Sequence, residues 1–519
     1  MKIYYLLLCI SFYSILSEDI VIHLEKIYPG SGYSINGNII TIFKSNTYYI
    51  GSQSFNKSII VNVSCTIFIT SSTSMNNNSS LTPFIIEEKK EVDIKLRDKT
   101  TIIDSPFNEN NAIIYLKKGA RVAIENYYTG SGLILIPNSL YAIKGEELST
   151  LSINNCDVKI ISMSNISGGI FIKSLLFFEN HSTFYYKSFS GNMPAIECEG
   201  PIWFANGKFD IISLEGSGIK SKNKIVFGEM ERDKENLIIN ISSLYQGIEA
   251  AGIDIFSATI NIESKRNGII IDDNQDLICY SNCSSYIKLY DGFLNINSNG
   301  GIYSNGDIFI AGGILIVIGI SYENKQFIYH KGILSIDGGV FLACNNNSNS
   351  QTNVVTTQKE EKYIHHLNNS SNLGIYYNNK EMANITIKND IEYIYYTSPN
   401  NNYILKFDGY EKIFHSEIRE LLSDSEQPFI TSTILNSNDK EDIIPISDIN
   451  ESNSEKQIDI IVENNEQNSS DGMNTNNSSD GINVNNAIKV EFDNNKEDDK
   501  DYSHSIGIQL ISFLFWFLL

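Results

Sequence analysis

Apolar residues recur along this chain with two superimposed periods. The longer one is an isoleucine that follows a small or turn residue, at Ala142-Ile143, Gly169-Ile170, Ala195-Ile196, Gly218-Ile219, Gly247-Ile248, Gly268-Ile269 and Gly301-Ile302, spaced by 27, 26, 23, 29, 21 and 33 residues. The shorter one is strict alternation inside each interval, as in Gly252-Ile-Asp-Ile-Phe256 followed by Thr259-Ile-Asn-Ile-Glu263. The same design returns at Gly306-Asp-Ile-Phe-Ile310, the turn Ala311-Gly-Gly313 and Ile314-Leu-Ile-Val317. Alternation of period two marks strands with one buried face, and a unit of this length holding about three short strands is one coil of a solenoid. Each coil buries its inner face only by stacking on its neighbours. The expected fold is therefore all-β: a right-handed parallel β-helix over 18–352. A β-sandwich would alternate similarly but would not repeat a unit length. The longest interval, 33 residues, contains Cys279 and Cys283 and reads as an insertion thrown out from one coil.

Outside that region the pattern changes. Alternation continues without the coil phrase from Val354 to Phe407, for instance Ile385-Thr-Ile-Lys388, which predicts a small β module (353–410) covering the open end of the solenoid. Residues 411–422 have the spacing of one short amphipathic helix. From Ser423 to Tyr502 there are nineteen Asp/Glu against five Lys/Arg, out of a net charge of −22 for the chain. A ninefold echo, Ser469-Ser-Asp-Gly472 then Ser478-Ser-Asp-Gly481, and few aromatics accompany that charge. Such a segment cannot bury enough apolar surface to offset the ordering of its chain, so 423–505 is expected to be a disordered acidic stalk. The same acidity argues against nucleic acid as a partner, which would need a basic face.

Both ends carry targeting patterns. Lys2, the apolar run Ile3 to Leu16 and the small residue Ser17 read as a signal peptide over 1–17. Ile506 to Leu519 is an uninterrupted apolar tail behind a polar spacer, too short to cross a bilayer comfortably. It matches a GPI-attachment signal, with a short tail anchor as the alternative. The chain is thus expected on the cell surface, held to the membrane through its C-terminus. Six cysteines remain after the signal, an even number that suggests disulfides in a secreted chain. Only Cys279 and Cys283 are close enough to suggest a local bridge; partners for Cys65, Cys156, Cys198 and Cys344 stay open. Sequons at Asn56, Asn62, Asn165, Asn180, Asn240, Asn282 and Asn384 fit passage through a glycosylating pathway.

At the repeat the chain resembles the bacterial family of carbohydrate-binding β-helix proteins typified by a clostridial cellulose- and polygalacturonate-binding protein. That family repeats a phrase of the type Asp-Gly-Ile-x-Ser-Asn-Gly, a strand, a Gly-Gly turn and another strand. Here the corresponding stretch is Asn299-Gly-Gly-Ile-Tyr-Ser-Asn-Gly306, Asp307 to Ile310, Ala311-Gly-Gly313 and Ile314 to Ile318, with a second Asp337-Gly-Gly339 turn. Gly37-Asn-Ile-Ile-Thr-Ile42 and Asn46-Thr-Tyr-Tyr-Ile-Gly51 resemble the family's opening strands. The resemblance runs from about Ile35 to about Tyr403 and implies a pectate-lyase-like fold that binds polysaccharide. Family members hold calcium through acidic turns. This chain has Gly300 and Tyr303 where the family phrase has aspartates, and calcium wants six to eight oxygens, several from carboxylates. The best surviving acidic turn is Asp272, Asp273 and Asp276, for which a solvated loop before the cysteine insertion is the leading reading. Calcium is therefore left open as a cofactor.

Catalytic chemistry is thinly represented. A lyase needs a basic residue beside a calcium-binding carboxylate cluster, and a hydrolase needs two carboxylates flanking the bond. The seven histidines are scattered without metal spacing. The chain is expected not to be an enzyme. Sugar binding would use aromatic rings on one flat face, because pyranose rings stack on π faces while polar neighbours take the hydroxyls. The candidates are Trp203, Tyr286, Tyr290 and Tyr303, with Phe204 and Phe184-Tyr-Tyr186 nearby in sequence. Alternation puts Trp203 and Phe204 on opposite sides of a strand, so one of the two is core. The competing expectations are a structural or adhesive glycosylated coat protein, whose exposed face would be polar, and a pectate-lyase-like enzyme, which would gather at least three carboxylates beside a lysine or arginine. Oligomeric state is not legible.

Overall fold

The computed structural model describes residues 19–21, 32–51, 57–69, 74–76, 81–103, 110–162, 167–188, 193–229, 237–272, 285–319, 328–345, 355–356, 358–367, 371–387, 391–399, 403–407, 410–413, 431–432, 460–462 and 488–490. All of the regular structure among them is β. It divides into two units, Met1–Lys440 and Glu441–Leu519. The first is a parallel β-helix. Its strands fall into three long sheets of 13, 14 and 13 strands, and the chain visits them in fixed rotation. In one coil, for example, Gly168–Ile172 lies in the first sheet, Leu175–Glu179 in the second and Ser182–Ser188 in the third.

The isoleucines that mark the repeat in the sequence stack in one column of the first sheet. Ile143 pairs with Ile170, Ile170 with Ile196, Ile196 with Ile219, Ile219 with Ile248, Ile248 with Ile269 and Ile269 with Ile302. The column extends through Ile328 at one end and through Ile114, Phe84, Ile59 and Ile40 at the other. All are buried in one continuous core, where each large aliphatic side chain contributes roughly 1.5–3 kcal/mol on leaving water. In the second sheet the core column includes Phe178, Phe204 and Phe227, with centroids 4.9 and 5.2 Å apart.

The small residue before each isoleucine has a steric cause. A Cβ on Gly247 would fall inside contact distance of Ile262 Cγ2 and of the Gly268 carbonyl oxygen of the next coil. At Gly247 only hydrogen fits where the third sheet turns into the first, while Ala142 and Ala195 fill the same corner in other coils. That corner also holds a polar column the alternation does not announce. Ser162, Ser188, Ser213, Ser243, Ser264 and Ser298 end successive strands of the third sheet, all buried. Ser213 and Ser243 Oγ both donate to the Gly216 carbonyl at 2.9 and 2.8 Å, and Ser264 Oγ donates to that of Asn267 at 2.9 Å. At Gly216 the hydroxyls serve a turn carbonyl, and at Asn267 the hydroxyl adds a second bond to a carbonyl that also accepts the Gly247 N–H at 3.1 Å.

The insertion in the longest coil is seen from its ends. Residues 272–285 separate Ile269–Ile271 from Tyr286–Leu289, whereas the preceding coil passes from Ile248–Ala250 to Gly252–Ile255 across one residue. Cys279, Cys283, Asn282, Asp273 and Asp276 lie outside the described residues. Cys65, Cys156, Cys198 and Cys344 are free thiols, which corrects the expectation of bridges for these four. They occupy different coils and sheet positions, and Cys156, Cys198 and Cys344 are each packed among apolar neighbours.

The end of the solenoid differs from the expected cap in three ways. Val355–Thr356 still adds to the second sheet beside Ser335 and Ile336, so the coil pattern passes residue 352. Ile391–Ser398 then joins the third sheet antiparallel to its last parallel strand, Val340–Asn345, and puts Tyr395 against Phe341 in the solenoid core. The remaining sheet, built on Asn372–Tyr377, Lys380–Thr386 and Tyr403–Phe407, packs on the outer face of the third sheet. Leu373, Ile375, Ile385 and Leu405 cover Phe293, Ile314, Ile316 and Ile318 there. The module is thus a side buttress as well as an end plug, because the third sheet is apolar on both faces in its last coils.

Of the helix expected over 411–422, only 411–413 are described and they are strand, while 414–422 lie outside the described residues. Tyr410–Ile413 is a strand paired antiparallel with Tyr403–Phe407, whose free edge supplies the hydrogen bonds. Within 423–505 the described residues are three short strands: Thr431–Ser432, which pairs with Asn384 and Ile385, and Ile460–Val462 with Ile488–Val490, an antiparallel pair in the second unit. The signal segment, the rest of the stalk and the apolar tail lie outside the described residues.

Candidate functional site

Strand pairing carries the outward side chains of each sheet into columns that climb about 4.8 Å per coil. On the second sheet one column reads Ser152, Phe177, Trp203, Val226, Asp254, Lys288, Phe309 and Ser335. Phe177 and Trp203 are half-buried and lie 6.4 Å apart, tilted by 37°. Leu175 and Pro201 are half-buried beside them and Val226 is buried below, so the centre of this face is an apolar platform. Trp203 faces out and Phe204 faces in, which resolves the pair that alternation left open.

Three coils along, Tyr286 lies back over Gly252, whose missing side chain leaves room for the ring. Its hydroxyl donates to Asp254 Oδ2 at 2.8 Å, and Lys288 Nζ stands 4.6 Å from its centroid. Burial first, then the Asp254 carboxylate, raise the Tyr286 phenol well above its ordinary value, so it stays a neutral donor. The result is an aromatic step flanked by a carboxylate and an ammonium, the polar complement to the Phe177 and Trp203 platform.

The other two candidates do not join this row. Tyr290 sits at the corner between the second and third sheets, stacked on Phe256 at 4.9 Å. Tyr303 belongs to the first sheet, stacked on Tyr329 at 4.8 Å and donating to Asn305 Oδ1 at 3.3 Å. Asn305 in turn donates to Asp272 Oδ1, so the one described member of the acidic turn is engaged by an amide. Among the described residues no group of three or more His, Cys, Asp and Glu gathers at metal-binding distance.

The first sheet has its own outward column: Phe171, Glu197, Lys220, Glu249, Ile270, Tyr303 and Tyr329. Phe171 stacks on Tyr141 at 5.1 Å. Lys220 Nζ lies 3.5 Å from Glu249 Oε2, and Ser217 donates to the other carboxylate oxygen. Burial raises the Glu197 carboxyl above its usual range, against the opposing pull of Lys220 and Lys222. Glu197 and Glu249 thus stand on the coils either side of Lys220, two carboxylates about one lysine.

Phe177 was missed in the sequence although a signal was there. Leu176-Phe177-Phe178 stands one coil ahead of Ile202-Trp203-Phe204 and repeats its pattern. The sequons are also differently placed. Asn62 is exposed at a corner and Asn384 is half-buried on a strand of the side module. Asn180 donates to Asn154 Oδ1 at 2.8 Å, and Asn240 donates to Asp210 Oδ1 at 2.7 Å while accepting from Asn261 at 3.0 Å. Asn56 and Asn165 are outside the described residues.

No family model, curated protein or solved structure matches this chain.

Proposed function

We propose that this chain is a secreted surface protein, held to the membrane through its C-terminal tail, that binds polysaccharide on the outer face of the second sheet without cleaving it. The observation that carries this reading is the column Phe177, Trp203, Val226, Asp254, Lys288, Phe309, with Tyr286 beside it. Its coil rise is close to the length of one extended pyranose unit, so successive coils meet successive rings. Aromatic surface stacks the rings, and the Tyr286, Asp254 and Lys288 group exchanges hydrogen bonds with their hydroxyls. The repeat's resemblance to carbohydrate-binding β-helix proteins points the same way.

The test is retention of the chain on insoluble cellulose, chitin and cross-linked polygalacturonate, with and without a calcium chelator. Saturable retention that Trp203→Ala abolishes supports the reading. Wild-type chain that passes through every matrix sinks it and favours a structural coat.

One observation favours a second reading. Glu197 and Glu249 around Lys220 resemble, in outline, the acid and base of a polysaccharide-degrading enzyme. New reducing ends or unsaturated products from a polysaccharide, lost in Glu197→Gln, would establish catalysis in place of binding alone.

A further inference from the structure

The same sheet carries a second aromatic cluster near its N-terminal end, built around one arginine. Arg97 follows the strand Glu91–Leu96 at the corner into the third sheet. Its guanidinium carbon is 5.6 Å from the Tyr49 centroid, 6.0 Å from Phe68, 5.3 Å from Tyr127 and 5.1 Å from Tyr128. Tyr49 and Phe68 stack at 4.9 Å on successive coils, and Phe68 meets Tyr127 edge-on at 5.0 Å. The only hydrogen bond of the guanidinium among the described residues runs from Nη2 to the Tyr128 hydroxyl at 2.6 Å.

Neighbouring cations are paired with carboxylates. Lys95 lies 3.0 Å from Glu125, Lys117 2.8 Å from Glu87 and Arg121 3.1 Å from Glu91. Arg97 has no carboxylate partner among the described residues, in a chain whose net charge is −22. Four rings surround the guanidinium within about 6 Å, while most of its five N–H donors stay available. Tyr127 and Tyr128 are 50 % and 44 % exposed, so the cluster opens to solvent. A rigid guanidinium fork with free donors is built for two oxygens of one anion, and the exposed rings beside it offer stacking surface to the group that carries that anion.

We infer that Arg97, Tyr127 and Tyr128 form a subsite for an acidic sugar, a pyranose ring bearing a carboxylate or a sulfate. This rests on the polysaccharide reading above. The cluster lies four coils, about 19 Å along the axis, from Trp203 and about 13 Å to one side of its column, so one extended chain crossing the sheet obliquely reaches both. The platform takes rings of any charge, and Arg97 selects those with an anion.

The experiment is calorimetric titration of the full chain with oligogalacturonate, a sulfated oligosaccharide, a neutral cello-oligosaccharide and inorganic sulfate. Wild type is compared with Arg97→Gln, Arg97→Lys, Tyr128→Phe and Trp203→Ala, each checked for an unchanged melting temperature. Arg97→Gln is expected to weaken the acidic ligand, carboxylated or sulfated, about tenfold or more and to leave the neutral one within about twofold. Arg97→Lys should restore only part of the loss, because it lacks the fork. Neutral binding that depends on Trp203, with acidic ligands indifferent to Arg97→Gln, would overturn the subsite and leave the platform standing. Sulfate alone binding as tightly as the acidic sugars would also overturn it, as a bare anion site. Acidic binding lost in Arg97→Gln but untouched by Trp203→Ala would keep the subsite and remove the platform.

Discussion

Trp203 and Phe204 are consecutive on one strand and stand on opposite sides of the second sheet. Trp203 is half-buried outside, beside Phe177, while Phe204 is fully buried between Phe178 and Phe227. Truncating them should therefore separate stability from binding. Phe204→Ala opens a cavity in the aromatic stack and should cost about 3–5 kcal/mol in urea unfolding, whereas Trp203→Ala should cost less than about 1 kcal/mol. Equal losses for the two would contradict the assignment of faces.

The corner glycines should tolerate no side chain. Gly247→Ala places a methyl against Ile262 and the Gly268 carbonyl, and overpacking of this kind costs about 1–3 kcal/mol. Gly37, with nothing within 4 Å of an added Cβ but a φ of +56°, suffers only backbone strain and provides the control. Chemical denaturation of both variants decides whether close approach or backbone conformation governs the repeat phrase.

The serine column should matter despite its chemistry being polar. Ser243→Ala deletes a buried donor to the Gly216 carbonyl, at a cost of about 1 kcal/mol, because Ser213 still serves the same oxygen. The double variant Ser213→Ala, Ser243→Ala leaves that carbonyl without either hydroxyl and should lose more than the sum of the two single changes. A strictly additive result would show that the turn relaxes to find another partner.

Four thiols should be silent until the chain unfolds. Burial pushes the Cys65 and Cys198 thiols up to about 12 and raises those of Cys156 and Cys344 as well. The thiolate is the reactive form, so a thiol reagent at pH 8 should not label these positions in the native chain. Mass spectrometry after alkylation in denaturant without reductant should then find all four modified. Any of them recovered in a disulfide would contradict the structure.

The charged column of the first sheet should leave a pH signature. Because burial raises the Glu197 carboxyl in the folded state, the native chain binds this proton more tightly than the unfolded chain does. Its contribution to stability therefore falls as pH rises from the ordinary glutamate value through the raised native value, and it is unfavourable above both. Glu197→Gln should flatten that segment of the stability profile and be at least as stable as wild type at neutral pH. A variant that is less stable at neutral pH would show that the Lys220 contact outweighs the burial.

Much of the fold was legible because a solenoid repeats locally determined choices. Alternation assigned each strand an inside and an outside, and a glycine or alanine before an isoleucine marked each corner, so Ile143 to Ile302 could be aligned before any contact was known. Composition likewise separated the acidic C-terminal stretch from the repeat. Alternation could not say which neighbour of a pair faced the core, since Trp203 and Phe204 are both large and aromatic. That was decided by what lies one coil above and below, namely Phe178 and Phe227 for one and Phe177 and Val226 for the other.

The candidate aromatics scattered for the same reason. Trp203, Tyr286, Tyr290 and Tyr303 are spaced by loop lengths that differ from coil to coil, so distance in sequence carries no information about which of three sheets each occupies. Arg97 meets Tyr49, Phe68, Tyr127 and Tyr128 only because coils of unequal length stack in register, which places residues far apart in the chain around one guanidinium. The apolar positions of the end module were equally ambiguous, as Leu373 and Ile385 could have capped the coil or leaned on its side. Residue order determined that this chain coils and which residues line its core; the stacking of the coils, fixed by hydrogen-bonded register, decided which outward side chains became neighbours.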